Sequence, residues 1–164
     1  MIFGIPRELK DHETRVGAGL IPRNVATLIA QGHTVYFQKG VMEPAGVSDE
    51  EFLKVGAKCV DTMEEIYEKC DFIGKFKDMT DADMKMPFKK GQIIMTAFHM
   101  AEGTAKPEQV KILADAGVTC ISIETSRYPD GSRAMTRPMG EIAGRTAPLL
   151  GGQYLQLSLI HISE

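Results

Sequence analysis

A chain of 164 residues with 43% hydrophobic content can fold as one domain, or as one domain and part of another. The net charge is −3 and the charges are scattered, so the sequence lacks the basic footprint of a nucleic-acid-binding protein. No apolar run approaches the roughly 18 residues of a membrane helix, and no His/Cys/Asp spacing indicates a metal site. The three cysteines form no C-x-x-C pair, which predicts buried free thiols in a cytoplasmic protein.

Short apolar or β-branched runs alternate with helical patterns along most of the chain. Strands are predicted at 2–5, 34–37, 58–60, 72–75, 93–97 and 118–123. Helices are predicted between them at 22–30, from 48 to about 55, at 62–69 and at 107–116, most of them starting at a proline or at a pair with capping-box spacing. Strands separated by helices indicate βαβ units. We therefore expect an α/β fold with a parallel sheet flanked by helices, Rossmann-like or flavodoxin-like.

The pattern changes after Glu124. Residues 128–132 predict a turn, and Pro138 starts a further helix whose glycines and alanines permit close packing against another surface. Pro148 lies inside this helical pattern and should kink or end the helix, because proline has no N–H to donate.

Three polar side chains follow predicted strands. Lys75 ends one strand, His99 comes just after the next, and Arg15 lies in the loop after the first. The carboxyl ends of parallel strands share one edge of the sheet, where ligands bind. A guanidinium, an ammonium and an imidazole at that edge suit a small carboxylate that carries a carbonyl or amino group. Taken singly, each residue also fits a structural role, as a solvated Arg, an ordinary strand-end Lys or a core His.

Several motifs within residues 2–155, in order along the chain, resemble those of the alanine dehydrogenase and proton-translocating transhydrogenase family. They include Gly4-Ile5-Pro6-Arg7-Glu8, Glu13-Thr14-Arg15-Val16, Lys75-Phe76-Lys77, Phe98-His99-Met100 and Glu141-Ile142-Ala143-Gly144-Arg145. The strand that leads to His99 favours the alanine dehydrogenases, because the matching stretch of the transhydrogenase α subunit lacks that histidine.

The resemblance implies an oxidoreductase that uses NAD to deaminate L-alanine reversibly to pyruvate and ammonia. Arg15 would hold the substrate carboxylate, Lys75 its carbonyl oxygen, and His99 would act as acid and base. A cation beside the carbonyl lowers the barrier to hydride addition, and a histidine handles protons near neutral pH. Gly140 stands where these enzymes usually have a serine close to the nucleotide, so it is a weak candidate for a cofactor contact. The implied partner is the small-molecule substrate, and members of the family form homo-oligomers, typically hexamers.

The resemblance also implies a domain organisation. Residues 1–136 would form an N-terminal substrate domain, 137–156 the start of a linker helix toward an NAD-binding domain, and 157–164 a tail that matches nothing in the family. The family's G-x-G-x-x-G motif does not occur in this sequence. We therefore expect NAD to be bound mainly by a further domain, and the 164-residue chain to be inactive alone.

Two alternatives stay open at this point. The chain would also fit a relative that acts on another amino or keto acid, similar to the transhydrogenase α subunit or to saccharopine dehydrogenase. From another class, it would fit a keto-acid-binding module without catalysis. The step from Arg15 to Pro22 is longer than is usual in the family, which bears on the identity of the substrate more than on the fold.

Overall fold

The computed structural model describes residues 1–9, 17–100 and 106–160. Six strands within these ranges form one sheet in which every neighbouring pair is parallel. The strands are β1 (Ile2–Ile5), β2 (Thr34–Gln38), β3 (Lys58–Val60), β4 (Phe72–Gly74), β5 (Ile93–Thr96) and β6 (Thr119–Ser122). Their order across the sheet is β3-β2-β1-β4-β5-β6, the Rossmann order rather than the flavodoxin order.

The described helices begin where the sequence patterns predict. They are α1 (Pro22–Ala30), α2 (Asp49–Lys54), α3 (Met63–Lys69), α4 (Pro107–Ala116) and α5 (Arg137–Ile160). Proline occupies the first position of α1 and α4, where no hydrogen bond is lost. At the start of α3 the Thr62 hydroxyl accepts a hydrogen bond of 3.3 Å from the Glu65 N–H. The expected α/β fold with a parallel sheet flanked by helices is confirmed.

Apolar side chains cover both faces of the sheet. Successive residues of a strand point to opposite faces, and in β2 Val35 and Phe37 join one core cluster while Tyr36 packs against the other. One cluster contains buried residues of α1 and α2, and the other contains buried residues of α3 and α4. The sheet therefore forms the middle of three layers.

Helix α3 packs unusually close to β1. A Cβ atom at Gly4 would lie 2.6 Å from Cγ2 of Ile66 and 2.8 Å from Sγ of Cys70. A side chain at this position would push the helix off the sheet, so glycine permits the approach.

The chain divides into two compact units, Met1–Ile123 and Glu124–Glu164. In the second unit the predicted turn is present, with the Gly131 N–H donating to the Tyr128 carbonyl oxygen at 2.9 Å. The assignment of 1–136 to a substrate domain and of 137–156 to a linker stays a prediction. Part of the expected tail at 157–164 continues α5, and residues 161–164 lie outside the described ranges.

Helix α5 continues through Pro148 for a further three turns, so the expectation that this proline ends the helix is wrong. Proline removes a single backbone hydrogen bond, and its neighbours Ala147, Leu149 and Leu150 are strong helix formers. None of the helices in the described ranges combines the length and apolar character needed to cross a bilayer.

The three cysteines differ in exposure. Cys70, at the end of α3, is buried, whereas Cys59 and Cys120 are exposed, so the prediction of buried thiols is wrong for these two. They lie in β3 and β6, the two outermost strands, where fewer neighbouring elements cover the side chains.

We predict that a disulfide reagent such as dithionitrobenzoate modifies two thiols in the native chain and the third only after unfolding. Burial raises the pKa of the Cys70 thiol to about 12, so it is both covered and protonated. Burial also raises the pKa of Cys59 and Cys120, so their reaction should accelerate as the pH rises. A Cys70→Ala variant should keep two reactive thiols in the native and unfolded states alike. Three rapidly reacting thiols in the native protein would contradict the described packing.

Candidate active site

In this strand order the chain connections change direction across the sheet between β1 and β4, the two central strands. Chain connections run outward from this point toward both edges of the sheet, which opens a crevice at the carboxyl ends of the strands, the usual ligand site of such folds. Glu8 follows β1 and Lys75 follows β4, so the two residues stand on either side of this switch point. The strongest candidate residue from the sequence therefore lies where this topology favours ligand binding.

Lys75 is completely buried, which is rare for a lysine. Its backbone N–H donates to the Met95 carbonyl oxygen at 2.8 Å and extends the pairing of β4 with β5 by one residue. Its ammonium nitrogen donates a hydrogen bond of 2.6 Å to Oδ1 of Asp83 and lies 3.8 Å from Oε2 of Glu8. A buried ammonium is thus neutralised by one directly bonded carboxylate and a second carboxylate nearby.

Asp83 is itself held in place. It begins a short 3₁₀ turn in the connection from β4 to β5 and is as buried as Lys75. Its second oxygen, Oδ2, accepts hydrogen bonds from the N–H of Thr80 at 2.7 Å and from the Thr80 hydroxyl at 2.8 Å. Both oxygens of this carboxylate are therefore occupied, one by the ammonium and one by the turn that precedes it.

Glu8 connects the ends of the two central strands. Its side chain is only 2% exposed, and Oε1 accepts the N–H of Phe76 at 2.6 Å and that of Lys77 at 3.4 Å. Its other oxygen, Oε2, has no hydrogen-bond partner among the residues that the structure describes. Burial raises the pKa of Glu8, while the charge of Lys75 and the two backbone donors oppose that rise.

The segment that contains Lys75 is fixed from the opposite side as well. The hydroxyl of Thr96, a buried residue at the end of β5, donates a hydrogen bond of 2.6 Å to the Lys77 carbonyl oxygen. Residues 75–77 are thus held by Glu8 on the β1 side and by Thr96 on the β5 side, so the position of the Lys75 backbone is defined by three neighbouring strands.

His99 follows β5, the strand next to β4, so it lies at the same edge of the sheet as Lys75. Its φ angle is +54°, and it is the only non-glycine residue in the described ranges with a positive φ. This left-handed conformation is unfavourable for residues with a Cβ, although histidine adopts it more often than most. His99 is half-buried, beside the buried Phe98 and the exposed Met100.

Arg15 lies outside the described residues, which resume at Gly17. Gly17 has a φ of +56°, and a Cβ atom there would lie 2.7 Å from Cγ2 of Ile5, at the end of β1. A Cβ at Gly74, the last residue of β4, would lie 3.3 Å from the Gly17 carbonyl oxygen. The chain therefore passes tightly against the ends of both central strands two residues after Arg15.

Gly140, the candidate for a cofactor contact, lies in the first turn of α5 in the second unit. Its N–H donates to the Thr136 carbonyl oxygen at 3.0 Å, and in the described residues no atom beyond its chain neighbours and the backbone of its own helix lies within 4 Å of the position a Cβ would take. The contact with a nucleotide stays a prediction.

Two functional candidates were missed by the sequence analysis, namely the carboxylates of Glu8 and Asp83. Glu8 is part of the first family-like motif, and its place directly after the first strand could have drawn attention to it. A buried lysine requires a counter-ion, but the sequence does not distinguish Asp83 from Asp81, which is exposed and pairs with Lys106 at 2.8 Å.

Replacing Lys75 should strongly destabilise the fold. Lys75→Met leaves two buried carboxylates without their cation, and breaking a buried pair in this way costs about 3–5 kcal/mol. The double variant Lys75→Met/Asp83→Asn removes one of the two charges and should recover a substantial part of that loss. Urea denaturation of the 164-residue chain and its variants measures both effects. Equal stabilities of the wild type and the single variant would show that the ammonium is not buried as described.

Glu8 should make stability fall as the pH rises. An acid whose pKa is raised by folding binds its proton more tightly in the native state. Its contribution to the free energy of unfolding is therefore present at low pH and is lost as the pH rises above 4.5, the ordinary pKa of this carboxyl group. Glu8→Gln removes this ionisation, so the variant should gain stability relative to the wild type between pH 4.5 and 8. The exposed Glu50 provides the matched Glu→Gln control for the substitution itself. A flat difference for Glu8→Gln would be inconsistent with its burial.

Comparison with known proteins places this chain in a family. The family model of the alanine dehydrogenase/PNT N-terminal domain matches residues 4–143. The alanine dehydrogenase of Methanococcus maripaludis is 36% identical over 156 residues, which cover 95% of this chain and 40% of that protein. The alanine dehydrogenase of Mycobacterium tuberculosis (strain CDC 1551 / Oshkosh) is 36% identical over 155 residues, covering 94% of this chain and 40% of that protein. The chain thus spans about 40% of the length of these curated relatives.

Solved structures agree with the sequence comparisons. An L-alanine dehydrogenase matches with a TM-score of 0.85 and 31% identity, covering 96% of this chain and 42% of that one. A transhydrogenase from Sinorhizobium meliloti shares the fold, with a TM-score of 0.67 and 23% identity over 79% of this chain and 37% of its own. Because the family model covers well over half of the sequence, this chain belongs to the alanine dehydrogenase/PNT family, of which it carries the N-terminal domain.

Proposed function

We propose that this chain provides the substrate site of an alanine dehydrogenase, which interconverts L-alanine with pyruvate and ammonia using NAD. The observation that carries the proposal is the buried Lys75 ammonium, held at the switch point of a Rossmann-type sheet. The likeness of the whole described fold to an L-alanine dehydrogenase, and the lysine at the motif position the family uses, both support it.

Lys75 binds the carbonyl oxygen of pyruvate in this proposal. Among the described residues its ammonium makes one hydrogen bond, to Asp83. An ammonium has three donors, so two remain to approach a substrate oxygen. A fixed positive charge in a water-poor site stabilises the negative charge that develops on that oxygen when ammonia adds to the carbonyl carbon; the oxygen then leaves as water, and it is the resulting imine that is reduced.

Arg15 and His99 supply the other two interactions. The Arg15 guanidinium pairs with the substrate carboxylate, an arrangement that the planar fork of arginine favours. The His99 imidazole gives and takes the proton that accompanies the change between carbonyl and amine. The position of His99 at the end of β5, one strand away from Lys75, supports this role.

The residues of this chain do not by themselves form a nucleotide site. Neither a glycine-rich strand-to-helix turn nor another pyrophosphate-binding motif occurs in the sequence, and Gly140 alone cannot hold a dinucleotide. We propose that NAD is bound mainly by a part of the enzyme that this chain does not match, and that the enzyme is a cytoplasmic homo-oligomer, as its family membership suggests.

Pyruvate binding tests the role of Arg15. Arg15→Ala should weaken binding by about 1.5–3 kcal/mol, the usual contribution of a hydrogen bond to a charged group. Titration calorimetry of the 164-residue chain measures this, with the exposed Arg23→Ala as the matched control that should bind normally. Unchanged affinity in Arg15→Ala would remove this residue from the site.

A chimaera tests the activity. Residues 1–156 are joined to the part of the Methanococcus maripaludis enzyme that this chain does not match. The chimaera should oxidise NADH when pyruvate and ammonia are present, whereas the 164-residue chain alone should not. His99→Asn suits the acid–base test because asparagine tolerates a left-handed backbone, and it should remove one limb of the pH–rate profile. Pyruvate binding without turnover in the chimaera would favour a keto-acid-binding module, and faster turnover of a larger keto acid would favour a relative with another substrate.

A further inference from the structure

We propose that Asp83 is a positioning residue, which together with Thr80 sets the direction in which Lys75 presents its ammonium to the substrate carbonyl. This inference rests on the proposed function, because it concerns how Lys75 meets pyruvate. It assigns a role to the connection between β4 and β5, a segment that the proposed reaction does not otherwise use.

A lysine side chain is mobile. An ammonium on a four-carbon chain is a point charge with many rotamers, and it has none of the fixed planar geometry of a guanidinium. A lysine that must meet one carbonyl oxygen therefore needs an anchor. The hydrogen bond of 2.6 Å to Asp83 is the single hydrogen bond of this ammonium within the described ranges.

The anchor of the Lys75 ammonium is rigid. Oδ2 of Asp83 is bound by both the N–H and the hydroxyl of Thr80, and the Asp83 N–H donates back to the same hydroxyl at 3.3 Å. The carboxylate cannot rotate without breaking these bonds. Lys75, Asp83 and Thr80 thus form a chain of contacts in which each member restricts the next.

The two carboxylates near the ammonium contact it differently. Oε2 of Glu8 lies 3.8 Å away, beyond hydrogen-bond distance, while its Oε1 is engaged with the backbone of Phe76 and Lys77. Glu8 therefore fixes the main chain around Lys75 and adds negative charge, whereas Asp83 is the described carboxylate that directs the ammonium group.

Infrared spectroscopy of bound pyruvate reads this positioning directly on the 164-residue chain. With [2-¹³C]pyruvate, the isotope-edited carbonyl stretch should move to lower frequency on binding, because the ammonium polarises the bond. Asp83→Asn should lose at least half of that displacement and weaken binding by about tenfold, a typical effect of disturbing a hydrogen bond to a charged group.

A matched pair of substitutions covers the case in which Asp83→Asn fails to fold. Thr80→Val removes the hydroxyl that restrains Asp83 and should reduce the displacement, while Thr80→Ser keeps the hydroxyl and should restore it. Asp81→Asn changes the exposed aspartate of the same connection, which pairs with Lys106, and should leave the spectrum unchanged. A purely structural role of Asp83 would lower the melting temperature of the variants without altering the spectrum of the pyruvate they bind.

The outcomes separate this inference from the proposed function. If folded Asp83→Asn keeps the wild-type displacement of the carbonyl stretch, the positioning role is overturned and the proposed function stays intact. Where Asp83→Asn does not fold, the same result in Thr80→Val has the same meaning. A chain that does not bind pyruvate, or binds it with no carbonyl displacement, overturns the proposed function and this inference with it. Loss of the displacement in Asp83→Asn and Thr80→Val, with recovery in Thr80→Ser, supports both.

Discussion

The buried ammonium of Lys75 connects the parts of this structure that lie around the switch point. A charge in the interior is tolerated only when carboxylates surround it, and here they come from two different segments, the loop after β1 and the connection after β4. The ends of the two central strands are therefore joined by electrostatics as well as by the sheet. The same requirement orders the β4–β5 connection, whose only regular element within the described ranges is a 3₁₀ turn.

The arrangement also explains how an α/β sheet can hold a buried lysine ammonium in one position. The sheet fixes the backbone of residues 75–77 through Glu8 and Thr96, and the 3₁₀ turn then fixes the tip of the side chain through Asp83. Backbone and side chain are restrained by different elements. A lysine restrained at both ends loses little further freedom when a ligand arrives, and such preorganisation favours electrostatic catalysis.

Local patterns were sufficient to predict the strands and helices of the first unit, because proline, capping residues and runs of β-branched residues act over a few positions. Lys75 and His99 could be placed at one edge of the sheet for the same reason. The partners of Lys75 could not be predicted, since contacts between residues 8, 75 and 83 depend on the order of strands in the finished sheet. The expectation that Cys59 and Cys120 are buried was wrong for the same reason, because sequence periodicity does not show which strands are outermost.

The left-handed backbone of His99 has a consequence for large-scale substitution experiments on this family. At such a position a β-branched residue is penalised by the main chain before any chemistry is considered, whereas glycine and asparagine fit the backbone and remove only the imidazole. A mutational scan scored by growth would not separate the loss of folded protein from the loss of the imidazole. Scoring abundance and activity separately would divide them, and the variants that accumulate normally yet lose activity would test the role proposed for the His99 imidazole.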